Sequence, residues 1–238
     1  MLEYCVDDVQ VWCSSRRLQL NPDKSELMVF GSQVNLERLA STDVSVRVGQ
    51  AVIQPGDRVR DLGVILDSSL SMRQHIAKVA STCFFHLRKL RKIGNLLYRD
   101  SRNRLVCAFI LTRIDYCNAV FAGLPDSTLA PLQRVLHADA RFVDDLLPRD
   151  HVTESLMSLP VPVRERITYK LCSLMHGIVY RHAPEYLTDM VVPVADLAGR
   201  CHLRSAQDGL FDIPRSRTAF GSRGTLKSRN LTSRDWTT

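Results

Sequence analysis

Residues 71–93 read SMRQHIAKVASTCFFHLRKLRKI, and their apolar side chains recur at helical spacing. The apolar stripe is formed by Met72, Ile76, Val79, Cys83, Leu87 and Leu90. At about 100° per residue these side chains cover one face of a helix, and the basic side chains fall on the other. The basic set comprises Lys78, Arg88, Lys89, Arg91 and Lys92. The stretch therefore predicts a long amphipathic helix that buries one face in a core and exposes a cationic one.

Upstream of this helix the pattern becomes mostly extended. Apolar residues at helical spacing predict a first helix over residues 2–17, and Asn21-Pro22-Asp23 then breaks the chain. Short runs rich in branched side chains predict strands at 26–30, 44–48, 51–54 and 59–67. The second and third are joined through Gly49-Gln50 as a hairpin, and Gly63 falls in the middle of the last strand, where it would mark a bulge.

Downstream of residue 93 the helical pattern continues. It predicts an apolar helix over residues 105–121, a third helix capped by Asp126 or Ser127, and a fourth within 163–180. Beyond about residue 193 periodicity fades, which predicts a loop-like or disordered tail. The fold class is therefore predicted as α+β, with a small N-terminal antiparallel sheet followed by mostly helical regions. The predicted domains are 1–70, 71–146, 147–192 and 193–238.

The positive charge of the chain is unevenly distributed. The net charge is +7 over 238 residues, yet residues 73–104 alone carry nine basic side chains and one acidic side chain. Residues 1–72 and 105–198 each have more acidic than basic side chains, and 199–238 are again basic. Concentrated positive charge suits a polyanionic partner better than a uniform basic surface does.

Composition also bears on location. There is no run of 18 apolar residues, so no membrane partner is expected. The first ten residues carry acidic side chains where a signal peptide needs basic ones. Seven cysteines without a CxxC pair indicate reduced thiols rather than disulfides or a zinc site. These features predict an intracellular protein of the cytoplasm or nucleus.

Several separated blocks of the chain follow one another in a defined order and spacing. The blocks are LQLNPDKSE (18–26), VRDLGVILDSSLSM (59–72), RIDYCNAVFAGLP (113–125), LQRVLHADAR (132–141), RDHVTESL (149–156), LPVPVRERITYK (159–170), APEYL (183–187) and HLRSA (202–206). In this order and spacing they resemble the C-terminal part of non-LTR (LINE-type) retrotransposon reverse transcriptases: the end of the palm, the thumb and a helical region. Each block alone is weakly specific, so the similarity depends on the whole set.

The resemblance implies roles for particular residues. Lys24 corresponds to a palm lysine near the incoming nucleotide that can act as a general acid, although a solvated turn lysine is the competing interpretation. Leu62, Gly63 and Val64 correspond to the primer grip. The basic helix corresponds to the thumb, whose cations would bind phosphates of an RNA–DNA or DNA duplex without sequence specificity. The alternative for these cations is a solvated face that contributes only solubility.

The resemblance also implies what is missing. Polymerases of this kind hold two metal ions on palm aspartates. Asp7-Asp8 imitates the family signature but falls within the first predicted helix, and Asp144-Asp145 follows the thumb blocks, where a helix-exit loop is expected. We therefore expect a truncated fragment that is catalytically inactive alone, has no cofactor of its own, and would be associated with Mg²⁺ only as part of a complete polymerase. The alternatives are an intact active polymerase whose upstream part is missing from this chain, and a non-binding helical relic.

One further residue departs from the family pattern. Asp139 occupies a position where the family prefers alanine, and it shares a helix face with Leu132 and Leu136. An acid on an apolar face is costly to bury. The sequence therefore predicts a poorly tolerated buried carboxyl group at this position.

Overall fold

The computed structural model describes residues 2–39, 41–146, 161–197, 199 and 211–212. The fold class is α+β, as predicted, with the strands confined to the N-terminal side. Two compact units are present, Met1–His75 and Ile76–Thr238. None of the described helices is long and apolar enough to cross a membrane.

The first unit opens with helix α1, Leu2–Ser15. After it, the side chain of Asn21 accepts a hydrogen bond from the backbone N–H of Asp23 at 3.0 Å and starts a short 3₁₀ turn, Pro22–Lys24. Helix α2 follows at Gln33–Leu39. The predicted first helix and the break after it are thus both present.

The predicted hairpin is confirmed as strands β1, Val46–Val48, and β2, Ala51–Ile53. They pair antiparallel with Val46 opposite Ile53, and Gly49 supplies the positive φ of the turn at 63°. Val46 and Val48 are buried whereas Arg47 between them is exposed, as the two-residue period of a strand requires. Helix α1 packs against β1.

The prediction of one strand over 59–67 is wrong. This stretch forms two strands, β3 at Arg58–Asp61 and β4 at Val64–Asp67, which pair antiparallel as a second hairpin. Leu62 and Gly63 form its two-residue turn, with φ of 44° and 89°. Positive φ at both turn positions matches the twist of a hairpin, and glycine adopts it without steric cost. Gly63 therefore reverses the chain and does not mark a bulge.

The strand predicted at 26–30 is also absent. Leu27 makes only an isolated parallel bridge to Pro55. Proline has no backbone N–H to donate, so a ladder cannot extend through that residue. The apolar run remains an irregular segment.

The long helix predicted from residue 71 is α3, Arg73–Ile93. Its entry is fixed by Asp67 at the end of β4, whose carboxylate accepts the backbone N–H of Ser71 at 2.6 Å and also the hydroxyl of Ser71. The final β-strand is thereby tied directly to the start of the helix.

The helix predicted over 105–121 begins and ends earlier. A continuous helical run consists of α4, Arg99–Val106, a π-helical turn, Cys107–Leu111, and α5, Thr112–Asp115. It ends at Tyr116, whose backbone is extended with ψ of 118°; Cys117 then adopts a left-handed conformation with φ of 52°, and Asn118–Phe121 form a 3₁₀ turn.

The third and fourth predicted helices are confirmed as α6, Asp126–Val143, and α7, Val163–Val179. The residue that precedes α6 is Pro125, so neither Asp126 nor Ser127 provides the predicted cap. A short helix, α8, follows at Glu185–Thr188. Residues 147–160 and most of the predicted tail from 193 lie outside the described residues, and the four-domain division stays a prediction.

The core of the second unit lies between α3, the run from Arg99 to Asp115, and α6. Its fully buried side chains include Ile76, Leu87, Ile110, Ile114, Leu132 and Leu136. Helix α7 is fixed to this core by polar contacts, because the Arg166 guanidinium donates to Asp115 at 2.7 Å and the Val163 N–H donates to Gln133 at 3.1 Å.

Candidate nucleic-acid interface

The amphipathic character of α3 is confirmed. Met72, Ile76, Cys83, Leu87 and Leu90 are buried, and only Val79 of the predicted stripe is half-buried. All five predicted basic residues of the helix are exposed. Among the described residues, none of the five takes part in an ion pair with an acidic side chain.

Four of the five cations lie close together along the solvent side of the helix. Lys78, Lys89 and Lys92 follow one another at i, i+11 and i+14, which places them on one stripe, and Arg88 lies beside Lys92 at i−4. At a rise of 1.5 Å per residue this row is roughly 21 Å long. We call Lys78, Arg88, Lys89 and Lys92 the basic row.

The sequence reasoning missed an aromatic component of this surface. Phe85 lies on the same stripe, is 47% exposed, and has the Lys89 ammonium 4.6 Å from its ring centroid. His86 stacks on Phe109 with ring centroids 5.6 Å apart and meets the edge of Phe85 at 5.5 Å. The aromatic pair directly before two basic residues in FFHLRK (84–89) was the available signal.

His86 contributes a ring rather than a charge. Partial burial lowers the pKa of His86, and the neighbouring cations Arg113 and Lys89 lower it further. Both effects favour the neutral form of the imidazole. His75, the other histidine of this helix, is buried, and its Nδ1 accepts the Ile65 N–H at 3.3 Å.

Arg91 is placed differently from the other four. It follows the buried Leu87 by four residues, so it lies beside the apolar stripe, away from the centre of the basic row. There it lines a cavity of about 450 Å³ together with Arg102 and Arg141. The predicted set of five cations is therefore divided between two surfaces.

Two of the nine basic side chains in residues 73–104 are bound to other groups of the protein. Arg99 forms an ion pair with Asp144 at 2.8 Å. Arg102 is 8% exposed and donates to the carbonyl oxygens of Gly94 at 3.0 Å and Phe142 at 3.3 Å, and it pairs with Asp145. The charge count of the segment thus overstates what is available to a ligand.

The two aspartate pairs lie on a helix surface and at a helix exit. Asp7 and Asp8 lie exposed on α1, as predicted for a polar helix surface. Asp144 and Asp145 follow the end of α6, as predicted for a helix exit, and both are engaged by arginines. Within the described ranges no group of three His, Cys, Asp or Glu residues is arranged to hold a metal ion.

The remaining predicted site residues lie in the first unit. Lys24 is the last residue of the 3₁₀ turn and is exposed. Of the predicted primer grip, Leu62 is 82% exposed at the tip of the β3–β4 hairpin, whereas Val64 is 6% exposed and belongs to the core. The turn therefore presents Leu62 and Gly63 outward but not Val64.

Asp139 is the buried carboxyl group that the sequence predicts. It is fully buried, and neither carboxylate oxygen has a hydrogen-bond partner among the described residues. Burial raises the pKa of Asp139 to about 8, an effect that the Arg91 charge partly offsets. Burial and the nearby Asp139 also raise the pKa of Cys83 to about 12, so this thiol stays protonated.

Comparison of the chain with protein-family models, with curated proteins and with solved structures finds no match. The resemblance to non-LTR reverse transcriptases accordingly depends on the sequence blocks alone.

Proposed function

We propose that this protein binds RNA–DNA or DNA duplexes without sequence specificity, through the basic row on α3. The observation that carries the proposal is the placement of Lys78, Arg88, Lys89 and Lys92 on the exposed side of a helix whose opposite side is buried. The buried stripe holds the row in one orientation, so the cations are presented together rather than on a flexible segment.

The dimensions of the row suit a duplex. A double helix carries one phosphate charge for about every 1.7 Å of its axis, so a row of roughly 21 Å faces more phosphates than its four cations can neutralise. Each lysine or arginine that contacts a phosphate releases a condensed counterion. Binding of this kind depends strongly on salt and little on sequence.

Binding to an RNA–DNA hybrid is expected to weaken with salt, with a slope of log K against log salt of about −3 to −4 if all four cations engage. Between 50 and 200 mM salt the affinity would then fall on the order of 100-fold. Substitution Lys92→Gln is expected to reduce the slope by about 1, and the Lys78/Lys89/Lys92→Gln triple variant by about 3. Fluorescence anisotropy with a labelled hybrid measures these slopes.

The matched control is Lys170→Gln, which removes one charge from an exposed position on α7. Its slope should equal that of the wild type. Equal slopes for Lys92→Gln and Lys170→Gln would refute the basic row as the binding surface, and absence of binding at about 50 mM salt would refute the affinity itself.

The exposed ring of Phe85 favours a second ligand, single-stranded nucleic acid. An aromatic side chain among cations provides a stacking surface for an unpaired base, and such stacking contributes about 1–3 kcal/mol per base. Phe85 lies between Lys78 and Lys89 on the row, so a strand that follows the cations passes over it.

Phe85→Ala is expected to weaken binding of a single-stranded oligonucleotide about 5- to 100-fold while changing duplex binding less than about twofold. The control is Tyr169→Ala on α7, where the ring is 75% exposed but lies outside the row. If the two variants bind single strands equally, base stacking on Phe85 is excluded. Anisotropy titrations with duplex and with single-stranded oligonucleotides measure both affinities and show which kind of nucleic acid the protein prefers.

The sequence blocks support a narrower proposal, that the chain is the thumb-containing part of a non-LTR reverse transcriptase. In that enzyme the Leu62-Gly63 turn would contact the primer, Lys24 would lie near the nucleotide, and the protein would act within the cell. The chain alone is not expected to extend a primer on an RNA template. A transcript whose reading frame continues upstream of Met1 and encodes an Asp-Asp hairpin would favour the intact polymerase over a fragment.

A further inference from the structure

We propose that the cavity lined by Arg91, Arg102 and Arg141 is a binding site for a phosphate monoester, separate from the basic row. It lies in the second unit, where α3 and α6 end, and has a volume of about 450 Å³. Cavities of this size hold small ligands rather than a single water molecule or ion. A phosphate group with part of its organic carrier fits this volume.

The lining supplies an excess of positive charge. Three arginines and one acidic residue, Asp145, line the cavity together with Asn95. A guanidinium group only donates hydrogen bonds, and its fork matches two oxygens of a phosphate. The lining therefore favours an anion with several acceptor oxygens.

The three arginines differ in their free donors. Arg102 is occupied by the carbonyl oxygens of Gly94 and Phe142 and by Asp145. In Arg141, Nη2 has no partner among the described residues and Nη1 makes only a 3.5 Å contact to the His137 carbonyl oxygen of its own helix, whereas the unpartnered Nε is itself buried. Arg91 is exposed and unpaired with any described acid. Arg91 and Arg141 therefore provide the N–H groups that remain able to donate hydrogen bonds to a ligand.

The position at two helix ends would ordinarily repel an anion, because helix C-termini carry partial negative charge. Here Arg102 donates to a carbonyl oxygen near each of these ends, Gly94 O and Phe142 O, and both residues line the cavity. The remaining competitor is Asp145, whose side chain is 76% exposed at the rim. Arg102 therefore makes the cavity suitable for a dianion, and Asp145 limits its affinity.

Two sources could supply the same chemistry, the terminal phosphate of a nucleic-acid strand and a free phosphate. Isothermal titration calorimetry with inorganic phosphate at pH 7.5 tests the site itself. Competition between 5′-phosphorylated and 5′-hydroxyl oligonucleotides of equal sequence then assigns the source: preference for the 5′-phosphate identifies the strand end, and equal binding identifies a free phosphate.

Arg141→Gln is expected to weaken phosphate binding at least tenfold, and Asp145→Asn to strengthen it several-fold. The control is Arg134→Gln, which removes the same charge from an exposed position two turns earlier on α6 and outside the cavity. Circular dichroism verifies that each variant is folded, and Arg141→Lys replaces Arg141→Gln if that variant is not.

The proposal is supported only if Arg141→Gln loses affinity relative to Arg134→Gln and Asp145→Asn gains it. Any other pattern, including no heat with wild-type protein at 10 mM phosphate, overturns it. Failure of this site would leave the salt slopes of the basic row unchanged, because neither Arg141 nor Asp145 belongs to that row.

Discussion

Asp139→Ala is expected to raise the free energy of unfolding, and to do so by about 4 kcal/mol more at pH 7 than at pH 4. Burial raises the pKa of Asp139 to about 8 from an unfolded value of 3.8, so folding at pH 7 requires the carboxyl group to take up a proton. Each pH unit between 3.8 and 7 adds about 1.4 kcal/mol to that cost. Alanine has no charge to neutralise, lacks the two unpartnered oxygens, and favours helix more than aspartate does.

The effect has a definite pH dependence. Between the unfolded pKa of 3.8 and the folded pKa of about 8, the native protein holds a proton that the unfolded chain lacks. The wild type therefore loses stability as the pH rises through this window, by about 1.4 kcal/mol per unit from this group. Below about pH 4 the ionisation penalty disappears, and the advantage of alanine shrinks to the cost of the unsatisfied carboxyl group, about 1–3 kcal/mol.

Urea denaturation at several pH values from 4 to 8 measures this prediction. Asp139→Asn is the informative control, because the amide cannot ionise but retains unpartnered polar atoms. It should remove the pH dependence due to this residue while stabilising the protein less than alanine does. A stability difference between wild type and Asp139→Ala that is the same at pH 4 and pH 8 would show that Asp139 does not titrate with a raised pKa.

Arg102→Ala is expected to lower the free energy of unfolding by about 3–4 kcal/mol. The guanidinium of this buried residue donates hydrogen bonds to the carbonyl oxygens of Gly94 and Phe142, which lie at the ends of α3 and α6. Leaving each buried acceptor without a donor costs about 1–3 kcal/mol. The contact of the guanidinium with the Phe142 ring, 5.8 Å to its centroid, is lost as well.

Arg104→Ala provides a control on the same helix, since Arg104 lies only two residues away and is exposed. Surface substitutions of this kind usually change stability by less than about 0.5 kcal/mol. Arg102→Lys should fall between the two, because a lysine ammonium lacks the planar fork that reaches both carbonyl oxygens. Equal urea midpoints for Arg102→Ala and Arg104→Ala would contradict the role of Arg102 in joining the two helix ends.

Much of the fold could be predicted because local patterns were strong. The stripe of α3, the β1–β2 hairpin around Gly49 and the helix after Pro125 are all encoded within short windows of sequence. The two strand predictions that failed have different causes. In segment 59–67 the signal was local, but Gly63 was interpreted as a bulge, whereas the positive φ of Leu62 and Gly63 makes two strands instead of one. At 26–30 the cause is not local, because Leu27 pairs with Pro55, which has no N–H to extend a ladder.

The candidate site, too, could be predicted only in part from the sequence. The sequence identified five cations on α3, and all five are exposed. It could not distinguish Arg91 from the rest, nor show that Arg102 is buried against two helix ends, because those facts depend on where α6 lies.

The sequence by itself determined the α+β class, the amphipathic helix, the concentration of positive charge and the buried position of Asp139, since each follows from residue type and periodicity. Only the tertiary structure decided which cations remain available to a ligand. Burial and ion pairing depend on contacts between residues far apart in the chain, as in Arg102 with Asp145 and Arg99 with Asp144. For that reason the nine basic side chains of residues 73–104 are divided among the four of the exposed basic row, Arg91 and Arg102 at the arginine-lined cavity, Arg99 in an ion pair, and the exposed Arg73 and Arg104.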